Sequence, residues 1–330
     1  MTTILSGTVL LLVTLAGFSL FSLKMPKGQE AMSGMANAAV ATFLVEAILS
    51  YIAGDILGVD FLKDVGVTSG TMGGVAAATL VPVAMGVNPV LAICGGVATG
   101  GFGILPGFIG GYVVGHVAPL LERKLPEGPN IIIGALATAA LSRGIALFVD
   151  PGVTKVLTII GGTISEATNT SPILMGFLLG GIMKMICTSP LSSMALTAML
   201  GLTGLPMGIA AIACFGGSFT NGMIFKRLHF GNKGNIIAVM MEPLTQADIV
   251  TAHPIPIYGS NFFGGGMSGI AAAMLGIINN APGTASPIPG MLAPFAFNDP
   301  AKVVLALAIA AVCGTLAGFA GSIVFKKFDR

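Results

Sequence analysis

One stretch of this chain, from Val65 to Leu121, contains no Asp, Glu, Lys or Arg. Charged residues make up 8% of the whole sequence, whereas a soluble domain contains about 25%. An uncharged surface of that length cannot stay hydrated, but apolar runs of about 20 residues span the hydrocarbon core of a bilayer as helices. The chain is therefore predicted to be a membrane protein rather than a soluble enzyme.

Apolar runs continue along the rest of the sequence, and they predict an all-α polytopic membrane protein with about nine or ten transmembrane helices. The 48 glycines and 19 prolines indicate closely packed and broken helices, which a membrane tolerates where they face protein or water. Two short segments, 188–202 and 235–253, are interrupted by proline or charge and are predicted to be re-entrant hairpins. The predicted spans are 3–23, 31–53, 66–87, 90–121, 131–149, 171–187, 205–225, 260–279 and 303–325.

The chain is predicted to divide near its middle. Residues 151–170 have apolar side chains at helical spacing, with Lys155 and Glu166 off the apolar face, which indicates an amphipathic helix at the membrane surface. This helix separates a first transmembrane half, 1–150, from a second half, 171–330. The run 90–121 fits either one long tilted span or a span followed by a half-helix.

The linkers between the spans differ in charge. Residues 24–30, 226–234 and 326–330 are net basic, whereas 54–64 is net acidic, so the positive-inside rule places the first three in the cytoplasm and the last outside. The net charge of +2 gives no basic surface for nucleic acid. The four cysteines are scattered along the sequence, without the spacing of a metal site, and no cofactor is predicted.

Ionisable side chains at membrane depth are costly, by about 2.5–3.5 kcal/mol each, and need an explanation. Glu46 is expected to pair with a neighbouring helix, and Arg143 to snorkel to the membrane surface or to bind backbone carbonyls, with a functional role left open for both. Lys184 has two interpretations, a position among the lipid head groups or a functional role. Glu242 differs from these residues because Pro243 follows it and breaks any helix.

The segment that begins at Glu242 carries the strongest signal for a ligand site. Thr245, Gln246, Asp248 and His253 follow it with hydrogen-bonding side chains. A carboxylate at a helix break is typical of substrate sites in transporters, and it can accept strong charge-assisted hydrogen bonds from sugar hydroxyls. We predict Glu242 at the centre of this site, with Asp248 and His253 at its rim.

Hydroxyl and amide side chains flank the predicted span 171–187 at two proline breaks. They have two interpretations, since they can satisfy backbone carbonyls freed by the prolines or line a polar cavity. The span 205–225 adds Ser218, Thr220 and Asn221 as candidates for the same cavity. The candidates at the breaks are Asn169, Thr170 and Ser171 before the span, and Thr188, Ser189, Ser192 and Ser193 after it.

Several motifs follow one another from about residue 89 onward: "GILPGFIGGYVVGHVAPLLERKLP", "NTSPILMGFLLGGIMKMICTSPLSS", "MEPLTQADIVTAHPIPIYGSNFFGGGMSGIAAAMLG" and "NNAPGTASPIPG". Their order resembles enzyme IIC, the membrane component of the bacterial phosphotransferase system. The fructose-type members are similar, and the stand-alone perfringolysin-regulator-like group is nearest. The chain departs from the family pattern at Met241, where a Thr is usual, and at Ser189–Ser193, where the family has an Asn-Lys pair.

The resemblance implies a homodimer in the bacterial cytoplasmic (inner) membrane. The first half would form the dimer scaffold, and the second half would hold a sugar on re-entrant hairpins and cross the bilayer like an elevator. Glu242 corresponds to the family glutamate that binds sugar hydroxyls. The implied partners are a sugar or sugar-like molecule and separate enzyme IIB and IIA proteins, so any phosphotransferase activity requires enzyme IIB.

Two other functions stay open at this point. The chain fits a membrane sensor or regulator that keeps the fold and the ligand site but transports little. It also fits a proton-coupled carrier in which Glu242, Asp248 and His253 titrate. Phosphate transfer to a sugar would separate the permease from both, and partner-free uptake that depends on pH would favour the carrier.

Overall fold

A computed structural model describes residues 2–124, 126, 129–189 and 193–328. Those residues are mostly helical and contain no β-strand, which confirms the predicted all-α fold. Wider π-helical turns, Val40–Leu44 and Ala47–Ile56, continue the second helix. The α-helices are α1 Thr2–Lys24, α2 Gly28–Ala39, α3 Asp60–Thr71, α4 Gly73–Ala84, α5 Pro89–Ala98, α6 Ile104–Lys124, α7 Pro129–Thr170, α8 Pro172–Thr188, α9 Ser193–Met199, α10 Gly204–Arg227, α11 Lys233–Met241, α12 Ala247–Ala252, α13 Pro254–Met274, α14 Pro287–Leu292 and α15 Pro300–Val324.

Five helices in the described part of the chain are long and apolar enough to cross a membrane, and the bent pair α3–α4 raises the number to six. The protein is therefore a multi-pass membrane protein. Three further helices are too short or not apolar enough to be counted among these. α13 has 21 residues but is rich in glycine, and α8 and α5 have 17 and 10 residues, which is short for a span.

The stretch 90–121 is a half-helix and a span rather than one long helix. α5 ends at Ala98, and a turn that includes Gly101, with a positive φ of 88°, precedes α6. Arg143 on α7 supports this turn, since its guanidinium donates to the Ala98 carbonyl at 2.8 Å and lies over the Phe102 ring. Of the two structural interpretations of Arg143, the structure supports the binding of backbone carbonyls rather than snorkelling.

Two of the apolar cores lie mainly in the first and the second half of the chain. In the first half, α2, α4 and α6 bury residues such as Met35, Val81 and Phe108. In the second half, a larger core contains Met175, Ile212 and other residues of α8, α10, α13 and α15. α7 links the halves as one helix of 42 residues that runs through Pro151, so residues 151–170 are helical, and their place at the membrane surface stays a prediction.

Glycine lets the helices of the second half approach closely. α13 runs antiparallel to α8, with Gly269 against Gly176 and Gly265 against Gly180. Small residues at such contacts allow backbones in a membrane to pack directly. α10 and α15 run parallel, and the Arg227 side chain at the end of α10 donates to Ser322 at 2.7 Å, so the basic ends of both helices lie on one side.

Candidate functional site

The site begins where α11 ends. Asn232 and Asn235 form a reciprocal capping box that fixes the start of this helix. Pro243 cannot continue the helix because it lacks a backbone N–H, and a short 3₁₀ turn, Pro243–Gln246, follows it. Glu242 therefore has extended backbone, with φ −149° and ψ 99°, at the break that the sequence predicted.

A serine hydroxyl orients the Glu242 carboxylate. Ser286 donates to Glu242 Oε2 at 2.9 Å, and the pair is partly buried. Ser286 itself has extended backbone directly before Pro287, which starts α14. Because the backbone is extended there, the Ser286 side chain leaves its own helix and reaches across to the end of α11.

A chain of contacts leads from this carboxylate to the end of α8. Ser193 is buried at the start of α9 and donates its hydroxyl to the Ala285 carbonyl, next to Ser286. α9 in turn packs against α8, and the end of α8 carries the buried Cys187 thiol. The predicted residues Glu242 and Ser193 are thus brought into one region by the loop before α14.

Lys184 lies at the same end of α8, and its side chain is completely buried. Its Nζ atom is 4.0 Å from the Cys187 sulfur and 3.4 Å from the Cys214 carbonyl oxygen. The interpretation that Lys184 lies among the lipid head groups is therefore wrong, because α10 and α13 enclose the side chain.

The hydroxyls at the end of α8 bond to their own helix. Thr188 donates to the Lys184 carbonyl at 3.0 Å, and Ser189 donates to the Ile186 carbonyl at 2.8 Å. These hydroxyls were predicted either to bond to backbone carbonyls or to line a polar cavity. The structure supports the first interpretation for Thr188 and Ser189. Ser192 lies outside the described residues.

The residues that follow Glu242 have mixed positions. Thr245 is exposed and donates to the Glu242 carbonyl at 2.8 Å, whereas Gln246 is buried and accepts from the Asn235 amide at 2.6 Å. His253 packs flat against Phe230, with ring centroids 4.0 Å apart. The side chain of Asp248 is not among the described ones. This segment therefore packs against the start of α11 as well as flanking the carboxylate.

Asn169, Thr170 and Ser171 lie at the opposite end of α8. A helix of 17 residues is about 25 Å long, so these residues are far from the region around Ser193 and Cys187. Asn169 and Thr170 are exposed, and the Thr170 hydroxyl donates to the Glu166 carbonyl within α7. The structure thus does not bring the residues before α8 together with Glu242.

The loop that carries Ser286 lies between the two halves of the chain. Gly283, with a positive φ of 81°, fits closely between Phe43 of the first half and Ala198 of α9. A cavity of about 330 Å³ lies nearby and is lined by residues that include Phe43, Phe102 and Leu157. Glu242 does not line this cavity. Among the described residues, no group of three His, Cys, Asp or Glu side chains is arranged to hold a metal ion.

Comparison with protein families gives a direct result. The family model for the phosphotransferase system, EIIC, matches residues 29–330, which is nearly the whole chain. The chain belongs to the EIIC family. EIIC proteins are the permease components of the sugar phosphotransferase system, so family membership agrees with a multi-pass membrane protein that has a polar site in its second half. A search of curated proteins finds no similar sequence.

Sequence reasoning missed Ser286, and it left the position of Lys184 open between two interpretations. Ser286 stands in "TASPIPG", a Ser-Pro break of the same kind that pointed to Ser171 and Ser189. Lys184 was one of the few charges at membrane depth, but its burial depends on glycines of two other helices. The Ser-Pro pattern could have identified Ser286, whereas no local pattern marks Lys184 as buried.

Replacing Ser286 with Ala is expected to weaken sugar binding by about 0.5–1.5 kcal/mol, the net value of one hydrogen bond. The substitution removes the donor that orients Glu242 and leaves the carboxylate charge in place. Isothermal titration calorimetry with the tightest-binding sugar of a panel would measure the change. Ser69→Ala is the matched control, because that hydroxyl only bonds to the Val65 carbonyl of its own helix in the first half.

Proposed function

We propose that this EIIC protein is the permease component of a phosphoenolpyruvate-dependent sugar phosphotransferase system in the bacterial cytoplasmic membrane. It binds a sugar or sugar-like molecule at Glu242 and carries it across the bilayer. A separate enzyme IIB, itself phosphorylated by enzyme IIA, then phosphorylates the sugar. The observation that carries this proposal is the Glu242 carboxylate at a proline break, oriented by Ser286, in a chain of the EIIC family.

The chemistry of the carboxylate supports a sugar as the ligand. A carboxylate only accepts hydrogen bonds, and its two oxygens together offer about four acceptor positions. Vicinal hydroxyls of a sugar supply donors in pairs at the matching spacing. Hydrogen bonds to an ionised acceptor are about twice as strong as those between neutral groups.

The division of the chain supports an elevator-type movement. The second half, with its own apolar core, carries the sugar, and the first half acts as the scaffold of a homodimer. The Ser286 loop lies against Phe43 of the first half, so movement between the halves changes the surroundings of Glu242. The break after α8 and the break after α11 act as the tips of re-entrant hairpins around the sugar.

A reconstituted transfer assay tests the proposed function. The protein is placed in liposomes with radiolabelled sugars on one side and phosphorylated enzyme IIB of a fructose-type system on the other. We expect sugar phosphate to appear on the enzyme IIB side only. Partner-free uptake driven by a pH gradient would instead indicate a proton-coupled carrier, and binding without uptake or transfer would indicate a sensor.

A further inference from the structure

The cavity of about 330 Å³ lies where the two halves of the chain meet, and it is separate from the Glu242 site. Phe43 and Phe102 form its wall in the first half, Leu157 lines it from the connecting helix α7, and Leu200 lines it from the second half. The volume is at the low end of the range of about 300–1,000 Å³ for ligand pockets, which suits one slender molecule.

The side chains that line this cavity favour an apolar ligand. None of them is charged and none is an amide. Three are threonines, and each hydroxyl donates within its own helix: Thr71 to the Thr68 carbonyl at 2.7 Å, Thr158 to the Thr154 carbonyl at 2.8 Å, and Thr154 to the Asp150 carboxylate at 3.3 Å. A polar ligand would give up its hydrogen bonds to water and find few partners in such a lining.

The cavity reaches the surface of the protein among apolar side chains. Thr71 and Thr158 line it and are exposed. Next to them in the sequence, Met72 and Ile159 are 44% and 56% exposed, and large apolar side chains exposed on a membrane protein mark contact with lipid. Lys155 is exposed on the same stretch of α7, and a lysine near the edge of a membrane extends its ammonium group to the head groups. The mouth of the cavity therefore opens to the bilayer.

An unfilled cavity is costly because the atoms of its wall lose van der Waals contacts. The acyl chains of the bilayer are apolar and slender, and they surround the mouth, so they match the lining in both chemistry and size. We propose that the cavity binds one acyl chain of a bilayer lipid, which is held between the two halves of the protein.

A bound acyl chain also supports the loop that carries Ser286. Phe43 and Ala198 both line the cavity, and the same two residues enclose Gly283 of that loop. Filling the cavity therefore fixes two side chains against which the partner of Glu242 is positioned. This consequence for the sugar site rests on the proposed function, whereas the binding of the acyl chain does not.

Photo-cross-linking in vesicles tests the site directly. The intact protein is reconstituted in phosphatidylethanolamine and phosphatidylglycerol, with a small fraction of phosphatidylethanolamine that carries a diazirine on one acyl chain. Mass spectrometry of peptides after irradiation identifies the labelled residues. We expect label on Leu200, which is only 3% exposed and is reached through the cavity, as well as on the lipid-facing Phe148, which is 87% exposed.

The variant Gly103→Leu should lose the label on Leu200 and keep the label on Phe148. Gly103 lines the cavity, and an added Cβ would meet only the Pro106 ring, at 3.9 Å, so the new side chain takes up free space. Gly162→Leu is the matched control, because a Cβ at that exposed glycine meets no atom within 4 Å and lies outside the cavity. Thr158→Phe is a second variant that narrows the mouth, and thermal unfolding shows which variants are folded.

Three outcomes would overturn the proposal. The first is an unmodified protein without label on Leu200, which includes the case of a second copy of the chain that covers the mouth. The second is equal label on Leu200 in the folded cavity variants and in Gly162→Leu. The third is label from a diazirine fatty acid but not from the lipid, which would assign the cavity to free fatty acids. None of these measurements uses a sugar or enzyme IIB, so failure of the proposed function would leave this test unaffected.

Discussion

Replacing Glu242 with Gln is expected to reduce the affinity for an uncharged sugar by about ten- to 150-fold, which corresponds to about 1.5–3 kcal/mol. Glutamine keeps the shape of the side chain and one acceptor oxygen. It loses the charge that strengthens the hydrogen bonds from sugar hydroxyls. Ser286, which donates to Oε2, can still bond to the amide oxygen, so the loop before α14 should keep its position.

The measurement is calorimetric titration of the purified protein with the sugar that gives the largest thermal stabilisation in a panel. Glu166→Gln is the matched control, because Glu166 is exposed on α7 and lies near the end of α8 that is remote from Ser193. We expect that control to bind like the unmodified protein. Unchanged affinity in Glu242→Gln would remove this residue from the site.

The break at Glu242 could be predicted from the sequence because its cause is local. Proline ends a helix through its own missing N–H and its ring, and the polar residues that follow Pro243 are close in the sequence. The all-α membrane fold was equally accessible, because the length of an apolar helix is set by the thickness of the bilayer. The contact of Arg143 with backbone carbonyls followed from the cost of an unpaired charge at that depth.

The pairing of Ser286 with Glu242 and the burial of Lys184 could not be predicted, because both depend on contacts between distant segments. Ser286 is 44 residues from Glu242 in the sequence, and the glycines that enclose Lys184 lie on two other helices. Packing between helices also lowers the hydropathy of some helices that the sequence predicts as spans. Helices that pack against protein on most sides, such as α13, need small residues for close contact and become less apolar than helices that face lipid.

Replacing Gly269 with Ala is expected to destabilise the protein strongly, because this glycine lies in the close contact between α8 and α13. The new Cβ atom would overlap the Gly176 carbonyl oxygen on α8, and neither backbone can yield as a flexible side chain would. α8 and α13 share the most extensive contact of any helix pair among the described residues. We expect a loss of at least about 1–3 kcal/mol in the free energy of unfolding, as for overpacked cores.

Gly162→Ala is the matched control, since that glycine is exposed on α7 and no atom lies within 4 Å of the added Cβ. Alanine is favoured over glycine in a helix by about 0.5–1 kcal/mol, so this variant should be slightly more stable. Thermal unfolding of the intact protein in detergent compares the two variants. Both substitutions add one methyl group within a helix. If Gly269→Ala lowers the stability and Gly162→Ala raises it, the loss is due to the packing of α8 against α13. A Gly269→Ala protein as stable as Gly162→Ala would contradict this close contact between the two helices.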